Sequence, residues 1–242
     1  MRYGASYWGR DATVAAKHFA EMADDGFSWV VIPVSEERAT FDVDGVRRII
    51  TAGRDAGLHV SVSPWGVGRW FGGEGVAGSP STPETALALW LDGMQSTWAD
   101  AIYWDEPQSP EALRWVVSGA ADTAPLPASL YINRYLCPMP DELPLHIAGL
   151  GLDNYRRTPE ATGAMATALQ SKYERDVHVW VRAFRLGDDE THMPADDIRA
   201  LRAAGVTDIG VWGYPSEGCS ILNNANPHDT WQAIRRVVRD VA

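Results

Sequence analysis

Apolar positions along the chain fall into two alternating kinds of segment. Eight short runs are rich in β-branched and aromatic residues: Arg2–Trp8, Ser28–Val34, Leu58–Ser63, Asp100–Asp105, Ser129–Asn133, Leu145–Gly151, Val177–Phe184 and Asp208–Gly213. Several, such as Trp29-Val30-Val31-Ile32, are continuous apolar stretches, as expected of parallel strands covered on both faces. Between most of the runs, apolar residues recur every three or four positions and predict helices buried on one face. Examples are Val14, Phe19 and Met22, then Val43, Val46, Ile49 and Ile50, and finally Trp231, Ile234, Val237, Val238 and Val241. Asp25-Gly26-Phe27, Ala56-Gly57-Leu58 and Ala204-Gly205-Val206 mark helix ends that lead straight into a strand, because glycine takes the left-handed C-terminal position without strain.

Strands and helices that alternate with short connections imply a parallel sheet, and eight strands favour closure over an open doubly wound sheet. The expectation is an α/β fold, a single (β/α)8 TIM barrel occupying residues 1–242, close to the ~250 residues typical of that architecture. One unit is irregular. Only the Pro-containing segment Arg134–Pro144 separates strands five and six, too short for a full crossover helix, so a short or 3₁₀ turn is expected there. The longest connection, Pro64–Pro83 after strand three, carries Trp65, Trp70, Phe71 and six glycines. A loop of that length inside a compact domain is usually functional, so it is expected over the site.

Composition narrows the partners. No apolar run approaches the roughly 20 residues that cross a bilayer, and no basic stretch followed by an apolar region precedes the first strand, so the expected address is cytoplasmic. A formal net charge of -11 repels phosphate backbones and anionic membrane surfaces. A small neutral ligand fits better than nucleic acid or lipid, and the residues do not reveal an oligomeric state. Cys137 and Cys219 lack the spacing of a zinc or redox motif and are expected to be reduced and structural. Lys17 and Lys172, the only lysines, fall in helical segments, which disfavours a Schiff-base aldolase with its lysine at a strand end.

In barrels of this kind the chemistry sits at the carboxyl ends of the strands, and the opposite rim serves stability. His59, His146 and His178 lie at amino ends, where a structural role is expected, and His18 lies in a helix. His192 and His228 fall in carboxyl-side loops but form no ligand motif, so neither a catalytic metal nor a cofactor is expected. Strand four, by contrast, ends Ile102-Tyr103-Trp104-Asp105-Glu106-Pro107. Adjacent acids at a strand end are unusual because burying charge is costly. The bland alternative is that Asp105 caps the next helix and Glu106 is solvated. Other acids reaching this rim are Glu36, Glu74, Asp153, Asp188, Asp189, Glu190 and Glu217.

Aromatic residues add to the picture. Of 11 tryptophans, Trp8, Trp65, Trp70, Trp104, Trp180 and Trp212 fall on or just after strands. Indole faces stack on the C–H faces of sugars, and indoles with carboxylates in one groove are the usual chemistry of a carbohydrate site; about half are expected instead to pack between barrel and helices. Trp8, Trp65, Trp70, Glu74, Arg134, Tyr155, Arg182 and Trp212 are the candidate substrate-binding residues. Arg134, Arg182 and Arg185 either pair with an anionic sugar substituent or neutralise the acids of the rim.

With Asp105-Glu106-Pro107 in place, and with Gly26-Phe27-Ser28-Trp29-Val30-Val31-Ile32-Pro33 and Ala56-Gly57-Leu58-His59-Val60 before it, the chain resembles the (β/α)8 glycoside hydrolases. It is most similar to the retaining clan whose fourth strand ends in Asn-Glu-Pro. The resemblance implies a glycosidase acting on a small oligosaccharide or glycoside. Glu106 would be the acid/base and Asp105 a partner that hydrogen-bonds a sugar hydroxyl. The sequence departs from the clan at strand seven, Trp180-Val181-Arg182-Ala183-Phe184-Arg185, which has no glutamate at its end and no acid before Asp188. The second carboxylate then falls to Glu217, Asp153 or Glu74, in that order, and retention or inversion stays open. An Asp-Glu pair is also similar to barrels in which the substrate's own acetamido group is the nucleophile, with no further acid needed. Asp105, by like-charge repulsion, and the Trp104 indole, by desolvation, are expected to raise the pKa of Glu106 into a working range. Two other readings of the same residues are a non-catalytic sugar-binding barrel and a metal-free sugar isomerase or lyase with Glu106 as the base.

Overall fold

The structure, a computed structural model, describes residues 1–35, 39, 42–65, 82–94, 99–105, 107, 109–118, 126–132 and 139–240. Eight strands, β1 (Arg2–Ser6), β2 (Trp29–Ser35), β3 (His59–Trp65), β4 (Ala101–Trp104), β5 (Ala128–Tyr131), β6 (Ile147–Asp153), β7 (Asp176–Arg182) and β8 (Asp208–Trp212), form one closed parallel barrel in sequential order. Arg2 pairs in register with Asp208 and Gly4 with Gly210, which closes β1 against β8. Each strand lies within three residues of the run that announced it.

Seven α-helices are present among the described residues: α1 (Ala12–Asp24), α2 (Val43–Asp55), α3 (Pro83–Met94), α4 (Pro110–Ser118), α5 (Pro159–Tyr173), α6 (Met193–Ala203) and α7 (Pro227–Arg239). The Asp11 carboxylate starts α1 by accepting from the backbone N–H groups of Thr13 and Val14 at 2.7 and 3.1 Å, satisfying two donors that the helix itself leaves open. Gly26, Gly57 and Gly205 take φ of 96, 82 and 86°, the left-handed helix ends that the sequence announced. At the other end of the ring, Arg235 and Arg239 of α7 both reach the buried Asp25 carboxylate after α1, so the last helix is clasped to the first. In the β5–β6 connection, residues 139–146 contain turns and no helix, and the first part of the segment expected to be irregular lies outside the described residues. No described helix is long and apolar enough to cross a membrane.

The barrel interior is where the sequence and the packing are most tightly coupled. Its central cluster is Val31, Tyr103, Tyr131, Trp180 and Trp212, joined by Trp8, Trp29, Tyr155, Phe184 and Cys219. Rings of this size need room across a barrel usually filled by branched aliphatic side chains, and here glycines on neighbouring strands supply it. A Cβ added at Gly4 would lie 1.9 Å from Trp29 Cδ2, and one at Gly210 would lie 2.5 Å from Trp180 Cε3 and 2.7 Å from Trp29 Cη2. At Gly151 it would meet His178 Nε2 at 2.5 Å and the Tyr103 hydroxyl at 2.6 Å. The outward-facing residues of the same strands, such as Val30, Ile32 and Ile102, pack instead in the larger core beneath the helices.

This packing makes Gly4→Ala an overpacking mutation. It should lower the unfolding free energy by about 1–3 kcal/mol, read from the urea midpoint. An unchanged midpoint would mean that the Trp29 ring does not rest on that glycine.

Candidate functional site

The described part of the carboxyl mouth is built from residues on or just after β1, β4, β5, β6, β7 and β8. Tyr131 and Trp212 form its floor, with ring centroids 6.3 Å apart, and Trp212 is backed by Trp180 at 4.8 Å. Trp8 stands edge-on to Trp212 at 6.3 Å, its backbone N–H held by Ser216 Oγ at 3.1 Å. Tyr155 meets Phe184 edge-on at 6.0 Å. The wall residues are thus supplied by strand ends, and their positions are fixed by ring-to-ring packing.

Asp105 follows β4 in the register of Tyr103, which faces the barrel interior. It is half-buried, its Oδ1 is shielded from solvent, and its charge reaches the Cys219 thiol across the mouth. Burial is the main cause that pushes the Cys219 thiol up. The Arg185 guanidinium and a hydrogen bond from Trp212 pull it down, and Asp105 adds to the rise. Arg185 holds φ of 54°, a left-handed conformation costly for a residue with a side chain. Trp104, one residue from Asp105, points the other way and packs edge-on against Trp115 of α4 at 6.1 Å. Its indole therefore lies on the opposite face of the strand from Asp105, and its expected effect on Glu106 falls outside the described residues. Trp180, fully buried in the barrel interior, and Trp104 are the structural half of the tryptophan set, whereas Trp8 and Trp212 are in the mouth.

Asp153 ends β6 at 5% exposure. Its Oδ2 accepts from the Tyr131 hydroxyl at 3.2 Å and its Oδ1 from the Tyr155 backbone N–H at 3.1 Å, with Arg157 Nη1 3.7 Å from Oδ1. Both oxygens are engaged, and the geometry positions two aromatic residues of the mouth. Glu217 has 64% of its side chain exposed and lies 3.9 Å from Arg10. Arg182 donates to Glu190 Oε1 at 2.8 Å, tying the end of β7 to the 3₁₀ turn Asp188–Glu190, while its Nε is buried without a partner among the described residues. Behind it, Thr162 donates to Asn154 at 2.7 Å, and Asn154 hydrogen-bonds Asp197, whose carboxyl is pushed up mainly by desolvation.

Glu106, Trp70, Glu74 and Arg134 lie outside the described residues, and Trp65 is described only as the last residue of β3. Among the described residues no group of three or more His, Cys, Asp or Glu side chains is placed to hold a metal. His228 lies in the first turn of α7 rather than in a loop, and His192 directly precedes α6. Sequence reading missed Tyr131, although its two-residue spacing from Ser129 puts both on one face of β5. It also missed the polar chain through the barrel interior, in which Trp180 Nε1 donates to the Tyr103 hydroxyl and that hydroxyl lies 2.8 Å from His178 Nε2.

Desolvation first, and the Arg2 guanidinium second, push the His178 imidazole down to about 3. Between that value and the ordinary one of about 6.5, the unfolded chain binds a proton that the folded chain refuses. Stability is complete above about pH 6.5 and falls with pH through this window, by about 1.4 kcal/mol per unit from this one group. His178→Gln should flatten the decline of the urea midpoint between about pH 6.5 and about 4.5. Parallel curves for the two proteins would assign the acid sensitivity elsewhere.

No protein-family model and no curated protein matches the chain. Solved structures do. The chain aligns over 100% of its length with 71% of a GH30 endoxylanase from Clostridium papyrosolvens, with a TM-score of 0.64 and 12% identity. It aligns over 96% of its length with 87% of a beta-glycosidase at a TM-score of 0.63 and 13% identity. A dihydrodipicolinate synthase from Agrobacterium tumefaciens gives a TM-score of 0.58 and 14% identity over 99% of this chain and 75% of its own. The shared property at these identities is the fold.

Proposed function

We propose that this chain is a carbohydrate-active barrel enzyme in which Glu106 acts as acid/base on a glycosidic bond, with Asp105 orienting the sugar beside it. The observation that carries this reading is the setting of Asp105. It lies at the carboxyl end of β4 in the register of the inward-facing Tyr103, has a shielded oxygen, and its charge acts on the Cys219 thiol, which Trp212 also contacts. A carboxylate beside an aromatic floor suits a ligand with apolar ring faces and polar edges. The net charge of -11 favours a neutral ligand over a phosphorylated one. The fold likeness to an endoxylanase and a beta-glycosidase is in keeping with it. Lys17 and Lys172, on α1 and α5, are away from the strand ends, so a lysine Schiff base is not part of the reading.

In this mechanism Glu106 protonates the glycosidic oxygen as the bond to the anomeric carbon breaks, and later takes a proton from the incoming water. Of the acids named for the facing position, Asp153 is engaged at both oxygens and Glu217 is solvated. Those observations favour either Glu74 or an acetamido group of the substrate, oriented by Asp105, for that role.

Glu106→Gln should lower kcat on a responsive aryl glycoside by about two to four orders of magnitude while leaving the melting temperature unchanged. The Asp105→Asn variant should lose activity most on acetamido sugars. Near-normal turnover by Glu106→Gln removes that residue from the mechanism. Solvent exchange at a substrate carbon without release of any sugar assigns Glu106 to proton abstraction instead.

A further inference from the structure

Among the described residues, the opposite end of the barrel is not filled by side chains. A cavity of about 340 Å³ lies at the amino-terminal mouth, lined by described residues of the strands and the turns that enter them. That volume falls in the range of small-molecule sites, about 300–1,000 Å³, and exceeds the roughly 30 Å³ share of one water about tenfold. It exists because the lowest layer mixes large and small residues: Trp29, Tyr103 and His178 are its rings, and Ser61, Ala101, Ser129 and Gly149 leave the space beside them open.

Its aromatic walls are held rigidly. Trp29 Nε1 donates to Asp208 Oδ1 at 2.8 Å, and the Tyr103 hydroxyl is fixed between Trp180 Nε1 and His178 Nε2. Its polar groups, by contrast, are incompletely used. The Ser61 side chain, only 8% exposed, makes no hydrogen bond to any described residue, and neither does that of Ser129. His178, also 8% exposed, spends Nε2 on Tyr103 and has no described partner for Nδ1. These polar groups open onto the cavity with no partner among the described residues, so a ligand that brings hydroxyls can hydrogen-bond several of them at once.

The rim sets the charge. Arg2 is bound by Asp208 at 2.6 Å and Asp176 at 3.2 Å, so two acids meet one base and anions are disfavoured. We propose that the amino-terminal mouth is a second ligand site, taking a small neutral polyol of monosaccharide size against Trp29 and Tyr103 and hydrogen-bonding it through Ser61, Ser129 and His178. This inference stands apart from the acid/base reading of the carboxyl mouth, since no residue is shared between the two. A ligand here would stiffen the same Tyr103–Trp180 chain on which the floor of the other mouth rests.

Calorimetric titration of the full chain with neutral monosaccharides and alditols tests it, alongside a nucleobase and a sugar phosphate, with tryptophan fluorescence as a second readout. Saturable binding of a neutral sugar is expected. It should weaken roughly tenfold in Ser61→Val, weaken also in the cavity-filling Ala101→Leu, and persist in Glu106→Gln. Ser129→Ala replaces either variant that fails to fold, as judged by circular dichroism. A soaked crystal should show the sugar between Trp29 and Ser61. Binding that Glu106→Gln abolishes and Ser61→Val leaves alone would put the ligand at the carboxyl mouth and overturn the proposal. So would tighter binding of the nucleobase or the sugar phosphate, or no binding of any neutral polyol to the folded protein.

Discussion

The constraint on which the rest of this structure depends is the fit of large rings over absent side chains inside a closed ring of strands. Eight parallel strands enclose a fixed volume that has to be filled at the density of a solid. Here Trp29, Trp180, Tyr103 and His178 fill it, and Gly4, Gly151 and Gly210 are where they rest. The choice has a chemical consequence that an aliphatic filling would not have. Each ring except phenylalanine's carries a polar atom that must be satisfied out of water. The interior therefore also contains Asp208 for the Trp29 indole, and the Tyr103–His178 pair for that of Trp180. A neutral imidazole at the centre of a barrel is a consequence of filling that barrel with indoles.

The same filling shapes both mouths. Rings from β2, β4 and β7 reach into the lower barrel, and small residues of β3, β4, β5 and β6 leave room beside them. Higher up, Tyr131 and Trp212 complete the packing and become the floor of the carboxyl mouth. Asp153 belongs to this arrangement. By accepting from the Tyr131 hydroxyl and the Tyr155 backbone it converts two strand ends into one fixed aromatic surface. Surfaces fixed in this way lose little conformational entropy when a ligand arrives.

The barrel was legible in the sequence because its two signals are local. β-branched runs locate the strands, and glycines in left-handed positions, Gly26, Gly57 and Gly205, locate where helices stop. Side-chain direction was not legible to the same degree. In Ile102-Tyr103-Trp104 both faces of the strand are buried, so no polar alternation says that Tyr103 looks inward and Trp104 outward to Trp115. The contrast between Gly4, Gly149, Gly151 and Gly210 and their bulky neighbours was a usable signal, but only once the register across strands is known, and pairings such as Gly4 with Trp29 and with Gly210 join distant segments. The engagement of Asp153 by Tyr131, 22 residues away, is hidden for the same reason.

The acids of the carboxyl rim show how far chemistry can be argued from such positions. A carboxylate that attacks or stabilises an anomeric carbon has to be shielded enough for its charge to act at full strength, yet retain an oxygen to offer. Glu217 fails the first condition by its exposure, and Asp153 meets the first but has both oxygens occupied. Asp105 is the described acid that combines an inward register with a shielded oxygen and a charge that acts on Cys219 in the mouth.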